Sequence, residues 1–285
     1  MLIKYGFGMA ITVSQPTPLI TLLDVREHRR PDIVDESAFV TTPDVPVSMY
    51  RDQFGNVCRR MIAPAGDFAV TLGGTIQDTG APDLVDRTLR EVPVAELPDD
   101  VLVYLLGSRY CETDRLSEIA WAHFGTMTPG WSRVEAIVDF VHRQITFGYH
   151  HARDTRTAAE AYEERVGVCR DFAHLTIALC RALNIPARYV NGYLGDIGVP
   201  KDPAPMDFSA WCEVYLGGRW CAFDARHNRP RIGRIPIAYG RDATDVPLIH
   251  SFGPHQLKSF KVWTDEVEAE PPRQALGEIP GQVAA

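Results

Sequence analysis

Gly167-Val168-Cys169-Arg170-Asp171-Phe172-Ala173-His174-Leu175-Thr176-Ile177-Ala178-Leu179-Cys180-Arg181-Ala182-Leu183 is the stretch that decides the fold. Phe172, Leu175, Leu179 and Leu183 recur every three or four residues, so one apolar stripe runs down a helix that Asn184-Ile185-Pro186 stops. Its first residue is a cysteine. A thiol in the first turn of a helix faces unpaired N–H groups and the positive end of the helix dipole, which favour thiolate over thiol. The same N–H groups can form part of an oxyanion hole, and Gly167 lets the backbone come close to a substrate. Cys180 lies about three turns further along nearly the same face, too far to bridge, and reads as core.

Downstream, Arg188 to Leu194, Ser209 to Leu216 and Arg219 to Asp224 read as strands. Gly217-Gly218 suits a two-residue hairpin loop, which pairs Leu216 with Arg219, Tyr215 with Trp220 and Glu213 with Ala222. Continued, this register sets Trp211 opposite Asp224 and Ser209 opposite Arg226. Positions 209, 211, 213, 215, 220, 222 and 224 then share a face, with position 209 and Asp224 diagonal neighbours at roughly 7–8 Å. A histidine at 209 would reach Asp224 with one ring nitrogen and offer the other to a thiol packed on that face. The residue there is Ser209. Trp211 and Tyr215 on this face are either substrate-wall aromatics or sheet packing.

Upstream, Leu116, Ile119, Ala120 and Phe124, and then Val134, Ile137, Val138 and Val141, recur at helix spacing. Thr157 to Glu164 reads as a short helix before Gly167. Residues 1–80 read as short strands (Leu2 to Val13, Leu19 to Arg26, Val45 to Arg51, Asn56 to Ile62, Phe68 to Gln77) with turn-forming clusters between them. The expected class is α+β: a small N-terminal antiparallel β-sandwich or barrel over 1–80, a linker over 81–98, and a core over 99–267 in which the Cys169 helix packs on an antiparallel sheet. A Pro-, Gly- and Glu-rich tail over 268–285 is expected to be disordered.

The 285 residues carry a formal charge of -8, from 29 basic and 37 acidic side chains, which gives no basic face for nucleic acid. Charges interrupt every apolar run well short of the roughly 20 residues of a membrane helix, and no export signal is visible, so a cytoplasmic protein is expected. The six cysteines are scattered, with no CxxC, HExxH or calcium-loop spacing; no disulfide, metal or cofactor is expected.

Four motifs in order, Gly167-Val168-Cys169-Arg170-Asp171-Phe172-Ala173, Ile185-Pro186-Ala187-Arg188-Tyr189-Val190-Asn191-Gly192-Tyr193, Ala210-Trp211-Cys212-Glu213-Val214-Tyr215 and Trp220-Cys221-Ala222-Phe223-Asp224-Ala225-Arg226-His227-Asn228, resemble the core of bacterial transglutaminase-like proteins of the cysteine protease type. The resemblance covers about residues 99 to 252. It implies a transglutaminase-core fold, a cysteine that attacks a carboxamide or peptide carbonyl, a histidine just before Ala-Trp as the base, and an aspartate closing the next strand that orients it. Cys169 and Asp224 match two of these roles, and Ser209 occupies the histidine's place.

A hydroxyl cannot take up a thiol proton near neutral pH, so the base must come from elsewhere. His174, roughly 140° around the helix from Cys169, points away. His227 falls on the wrong face if the strand continues, but a turn after Asp224 would redirect it, either to fix the loop from Arg226 to Pro230 or to act as a substitute base. His150 and His151 lie in a loop before the nucleophile and read as solvated, as does the basic run Arg226, Arg229, Arg231 and Arg234. Three readings follow: a cysteine hydrolase or acyltransferase acting on a peptide or protein amide, a silent member of the fold that binds peptide, and an active protein disabled by an engineered serine at 209.

Overall fold

In the computed structural model, which describes residues 1–267, the alternation of Ile3, Tyr5, Phe7, Met9, Ile11 and Val13 buries one face of a long first strand, β1 (Leu2–Val13). The tail expected over 268–285 lies outside the described residues. Six further strands follow: β2 (Thr17–Thr21), β3 (Ile33–Glu36), β4 (Val40–Thr42), β5 (Ser48–Arg51), β6 (Val57–Ala63) and β7 (Gly66–Gln77). The expected strand from Leu19 to Arg26 stops at Thr21, because Leu22 N–H donates to Leu248 O and Arg26 N–H to Pro236 O, outside the ladder. Strands β3 and β4, which the sequence pattern did not reveal, pair with successive parts of β7.

The core begins with a single helical turn, α1 (Asp99–Leu102), and the amphipathic α2 (Thr113–Phe124) and α3 (Trp131–Gln144), which bury Leu116, Ala120 and Phe124, and Val134, Ile137, Val138 and Val141. Then come β8 (Thr146–Phe147), α4 (Ala158–Glu164), β9 (Val166–Gly167) and α5 (Cys169–Ala182). Strands β8 and β9 pair in parallel, Phe147 opposite Gly167. Four strands, β10 (Ala187–Tyr193), β11 (Ser209–Leu216), β12 (Arg219–Phe223) and β13 (Ile235–Gly240), form an antiparallel sheet in the order β12-β11-β10-β13. The fold is α+β, a helix headed by Cys169 laid on an antiparallel sheet.

Two last strands, β14 (Ile249–Ser251) and β15 (His255–Glu266), return to the N-terminal region. They complete its two sheets in the orders β14-β2-β6-β5 and β15-β1-β7-β3. Residues 255–266, grouped with the core on sequence grounds, thus pair along nearly all of β1. One continuous buried cluster joins the strands of both N-terminal sheets to α2, α3 and α5. The segment over 81–98 also bonds to the core, Asp83 to Arg231 and Arg234 and Glu91 to Arg133.

Every residue of α5 from Asp171 to Arg181 is buried. The helix lies on the face of β11 that carries Ala210, Cys212, Val214 and Leu216, with which Phe172, Leu175 and Leu179 share the core. Truncating Leu175 or Leu179 to alanine would cost about 2–5 kcal/mol.

Candidate active site

The N-terminus of α5 is fixed by a carboxylate. Asp171 accepts the Val168 N–H at 2.8 Å and the Arg156 Nη1 at 3.1 Å, and Arg156 is held in turn by Glu164 and the His151 carbonyl. Gly167 serves this clamp rather than a substrate: a Cβ there would meet Asp171 at 2.7 Å. The clamp sets Cys169 in the first turn, as the sequence predicts.

The hairpin forms in the predicted register, Leu216 opposite Arg219, Tyr215 opposite Trp220 and Glu213 opposite Ala222, with Gly217 and Gly218 at φ 57° and 83°. It ends sooner than expected. Pairing stops at Cys212 and Phe223, and Asp224 begins a turn in which Asn228 N–H donates to Asp224 O at 2.8 Å. Helix α3 pins this turn through Asp139, which accepts from Asn228 Nδ2, and through His142 Nδ1, 2.8 Å from Ala225 O. The extended pairs Trp211–Asp224 and Ser209–Arg226 are therefore not made; Ser209 lies opposite Gly192 of β10.

The turn changes which side chain meets Asp224. His227 N–H donates to Asp224 Oδ1 at 3.2 Å, and His227 Nδ1 lies 2.9 Å from Oδ2. Arg234 Nη2 donates to the same Oδ2 at 3.1 Å. Burial would raise the Asp224 carboxyl, but the Arg234 charge and the His227 contacts outweigh it and hold it well below the usual carboxylate range. Ser209 is not among the hydrogen-bond partners of this carboxylate.

Ser209, His227 and Arg226 line a cavity of about 420 Å³, together with Tyr149, Asp207 and Arg231. Cys169 is not itself in the cavity wall, but its sulfur accepts the N–H of Ala210, the neighbour of Ser209, and lies in the fields of Arg226, Asp207 and Asp224. Helix α5 packs on the Ala210 face of β11, not on the Ser209–Trp211 face to which the hairpin register alone would assign the thiol. Burial pushes the thiol up, Arg226 and the Ala210 N–H pull it down, and the two aspartates add to the rise. Among the six free cysteines Cys169 alone is a half-buried residue, the other five being buried.

Other expectations fall out differently. Trp211, 2 % exposed, packs on Val190, Tyr239 and Ala222, while Tyr215 packs on Leu97, Val101 and Trp220, so both are sheet packing and neither lines the cavity. His174 is fully buried inside α5. The basic run is solvated only in part: Arg229 is exposed and Arg226 half-buried, but Arg231 and Arg234 are buried on Gly195 O and on Asp83 and Asp224. Arg234 went unread because its partner lies ten residues back, across the turn; the signals for that turn were Asn228, at φ 49°, and Pro230. Among the described residues no group of three or more His, Cys, Asp or Glu could hold a metal ion.

A cysteine heading a buried helix, an antiparallel sheet beside it and a buried aspartate closing the adjacent hairpin are the arrangement expected of a transglutaminase-like core. Residues 121–225 match the model of the transglutaminase-like superfamily. The crystal structure of a "Putative Cysteine Protease" from Cytophaga hutchinsonii superposes with a TM-score of 0.81 at 32% identity, over 95% of this chain and 92% of that one. An uncharacterized protein of Mycobacterium leprae is 30% identical over 179 residues, 60% of this chain and 56% of the relative. An uncharacterized protein of Mycobacterium tuberculosis is 33% identical over 147 residues, 47% of this chain and 46% of the relative. The chain thus spans about half the length of these mycobacterial relatives. It belongs to the transglutaminase-like superfamily.

Proposed function

We propose that the protein is a transglutaminase-like cysteine hydrolase acting on peptide or protein amides, with Cys169 as nucleophile, His227 as its proton acceptor and Asp224 as the residue that orients His227. The observation that carries this reading is the 2.9 Å contact of His227 Nδ1 with Asp224 Oδ2 beside the cavity that His227 and Ser209 both line. With Nδ1 donating to the carboxylate, Nε2 is left as the acceptor. The thiol proton passes to Nε2, and the sulfur attacks the amide carbon. The tetrahedral oxyanion is met by the Cys169 N–H at the head of α5. As the C–N bond breaks the imidazolium returns its proton to the leaving amine, and water, deprotonated by His227, then cleaves the thioester. An amine in place of that water would give acyl transfer.

Ser209 at the family's histidine position favours a second reading, a silent member that binds peptide in the same cavity. The test is hydrolysis of a panel of chromogenic peptide amides, and transfer to a primary amine, by the wild type and by Cys169→Ala. Turnover that vanishes with the thiol supports the enzyme. Wild type and Cys169→Ala indistinguishable on both assays would leave the silent reading standing.

A further inference from the structure

Arg226 is held unlike the two buried arginines of its run. Arg231 and Arg234 are buried beside carboxylates, Asp196 for the first and Asp83 and Asp224 for the second. Arg226 is half-buried and, among the described residues, has no carboxylate within ion-pair distance. Its guanidinium carbon stands 4.0 Å over the Phe147 ring and 5.7 Å from that of Tyr149, and Nη2 donates to the Tyr149 hydroxyl at 3.3 Å. Aromatic faces hold a guanidinium in place without cancelling its charge, as a paired carboxylate would.

The perch is tied to the nucleophile. Phe147 lies opposite Gly167, and the Gly148 N–H donates to Gly167 O at 3.1 Å, two residues before Cys169. Arg226 also lines the cavity with Ser209 and His227. We propose that Arg226 is a positioning residue for the nucleophile: a permanent cation, seated on the Phe147–Tyr149 pair, that stabilises the ionised Cys169 sulfur whatever the protonation state of His227. The proposal rests on Cys169 being the reactive thiol.

The charges around that sulfur make the role necessary. From the segment leading into β11, Asp207 opposes ionisation, and from the turn after β12, Asp224 does the same. On β10 the buried Tyr189 hydroxyl lies in the field of Cys169 and is itself pushed up by burial, with Arg170 of α5 lowering it and Asp171 adding to the rise. The Ala210 N–H is the neutral donor, and Arg226 supplies the largest influence that favours thiolate. Without it, two carboxylates would face the sulfur with only the neutral Ala210 N–H to balance them.

The test is the pH dependence of iodoacetamide alkylation at Cys169, read by peptide mapping, with circular dichroism as the check of fold. Arg226→Met should raise the alkylation midpoint by about one pH unit or more, whereas Arg226→Lys should keep most of the wild-type position. Raising salt from about 0.05 M to about 1 M should raise the wild-type midpoint and leave that of Arg226→Met unmoved. Coincident midpoints for wild type and Arg226→Met, an equal displacement in Arg226→Lys, or a larger displacement in His227→Gln than in Arg226→Met would each overturn the proposal. Should Arg226→Met fail to fold, the lysine variant and the wild-type salt series decide it, and a wild-type midpoint indifferent to salt overturns it. Alkylation that responds to Arg226 in a protein that turns over no amide would sink the hydrolase reading alone. Turnover with an indifferent alkylation profile would sink this one alone.

Discussion

The turn after β12 and the middle of α5 each carry a histidine near the sheet, and they treat it in opposite ways. His227 is 18 % exposed in its side chain, lines the cavity and lies on a buried carboxylate. His174 has no exposed surface, lies between the rings of Tyr110 and Tyr189, and accepts the Ala243 N–H at Nε2. Desolvation pushes it down to about 3, so it stays neutral as a packing residue of the helix that Cys169 heads. The lesson is that sharing an element with the thiol counts for little; a carboxylate on one ring nitrogen and solvent at the other make a proton carrier.

The largest effect expected from this contrast is on turnover. His227→Gln should lower kcat on a good amide substrate by about 10⁴-fold, while His174→Gln should stay within about tenfold at pH 7.5. Equal losses in two well-folded variants would erase the distinction. Next comes Asp224→Asn, which should slow turnover by about 10³-fold and lower the unfolding free energy in urea by about 3 kcal/mol, since it takes a carboxylate from both His227 and the buried Arg234. The Asp224 carboxyl is held low in the fold, so its contribution is complete above the ordinary carboxylate range near pH 4 and is lost as pH falls below it.

His174 gives the complementary acid signature. Its pKa is depressed in the folded protein, so between about pH 6.5 and pH 3 the unfolded chain binds a proton that the folded one excludes, and stability rises with pH through that window. The thermal midpoint of the wild type should therefore fall on acidification from pH 6.5, and that of His174→Gln should fall less; parallel curves would refute the assignment. The smallest effect belongs to Ser209→Ala, which should change kcat by no more than about threefold, because the Asp224 carboxylate is engaged by His227 and Arg234.

What could be read in the chain beforehand follows from the range of each signal. The helix at Cys169 and the Gly217-Gly218 hairpin were legible because apolar spacing and loop chemistry act within a few residues. β1 was legible for the same reason, yet its partner β15 was not, because a strand some 250 positions away leaves no local trace. The site divides along the same line. Cys169 and Asp224 follow from element ends. The His227 contact needs the strand to stop at Phe223, and that is decided by tertiary bonds from α3 to Ala225 and Asn228. The burial of Arg234 is likewise set by Asp83, in a stretch that reads as linker.

The most direct test of the central claim, that His227 on Asp224 serves Cys169, is single-turnover acyl-enzyme formation at Cys169 with a chromogenic amide, comparing His227→Gln with Ser209→Ala. The account predicts acylation slowed by about 10³-fold or more in the first and close to wild type in the second. Acylation that survives the loss of His227 but collapses with Ser209 would contradict it.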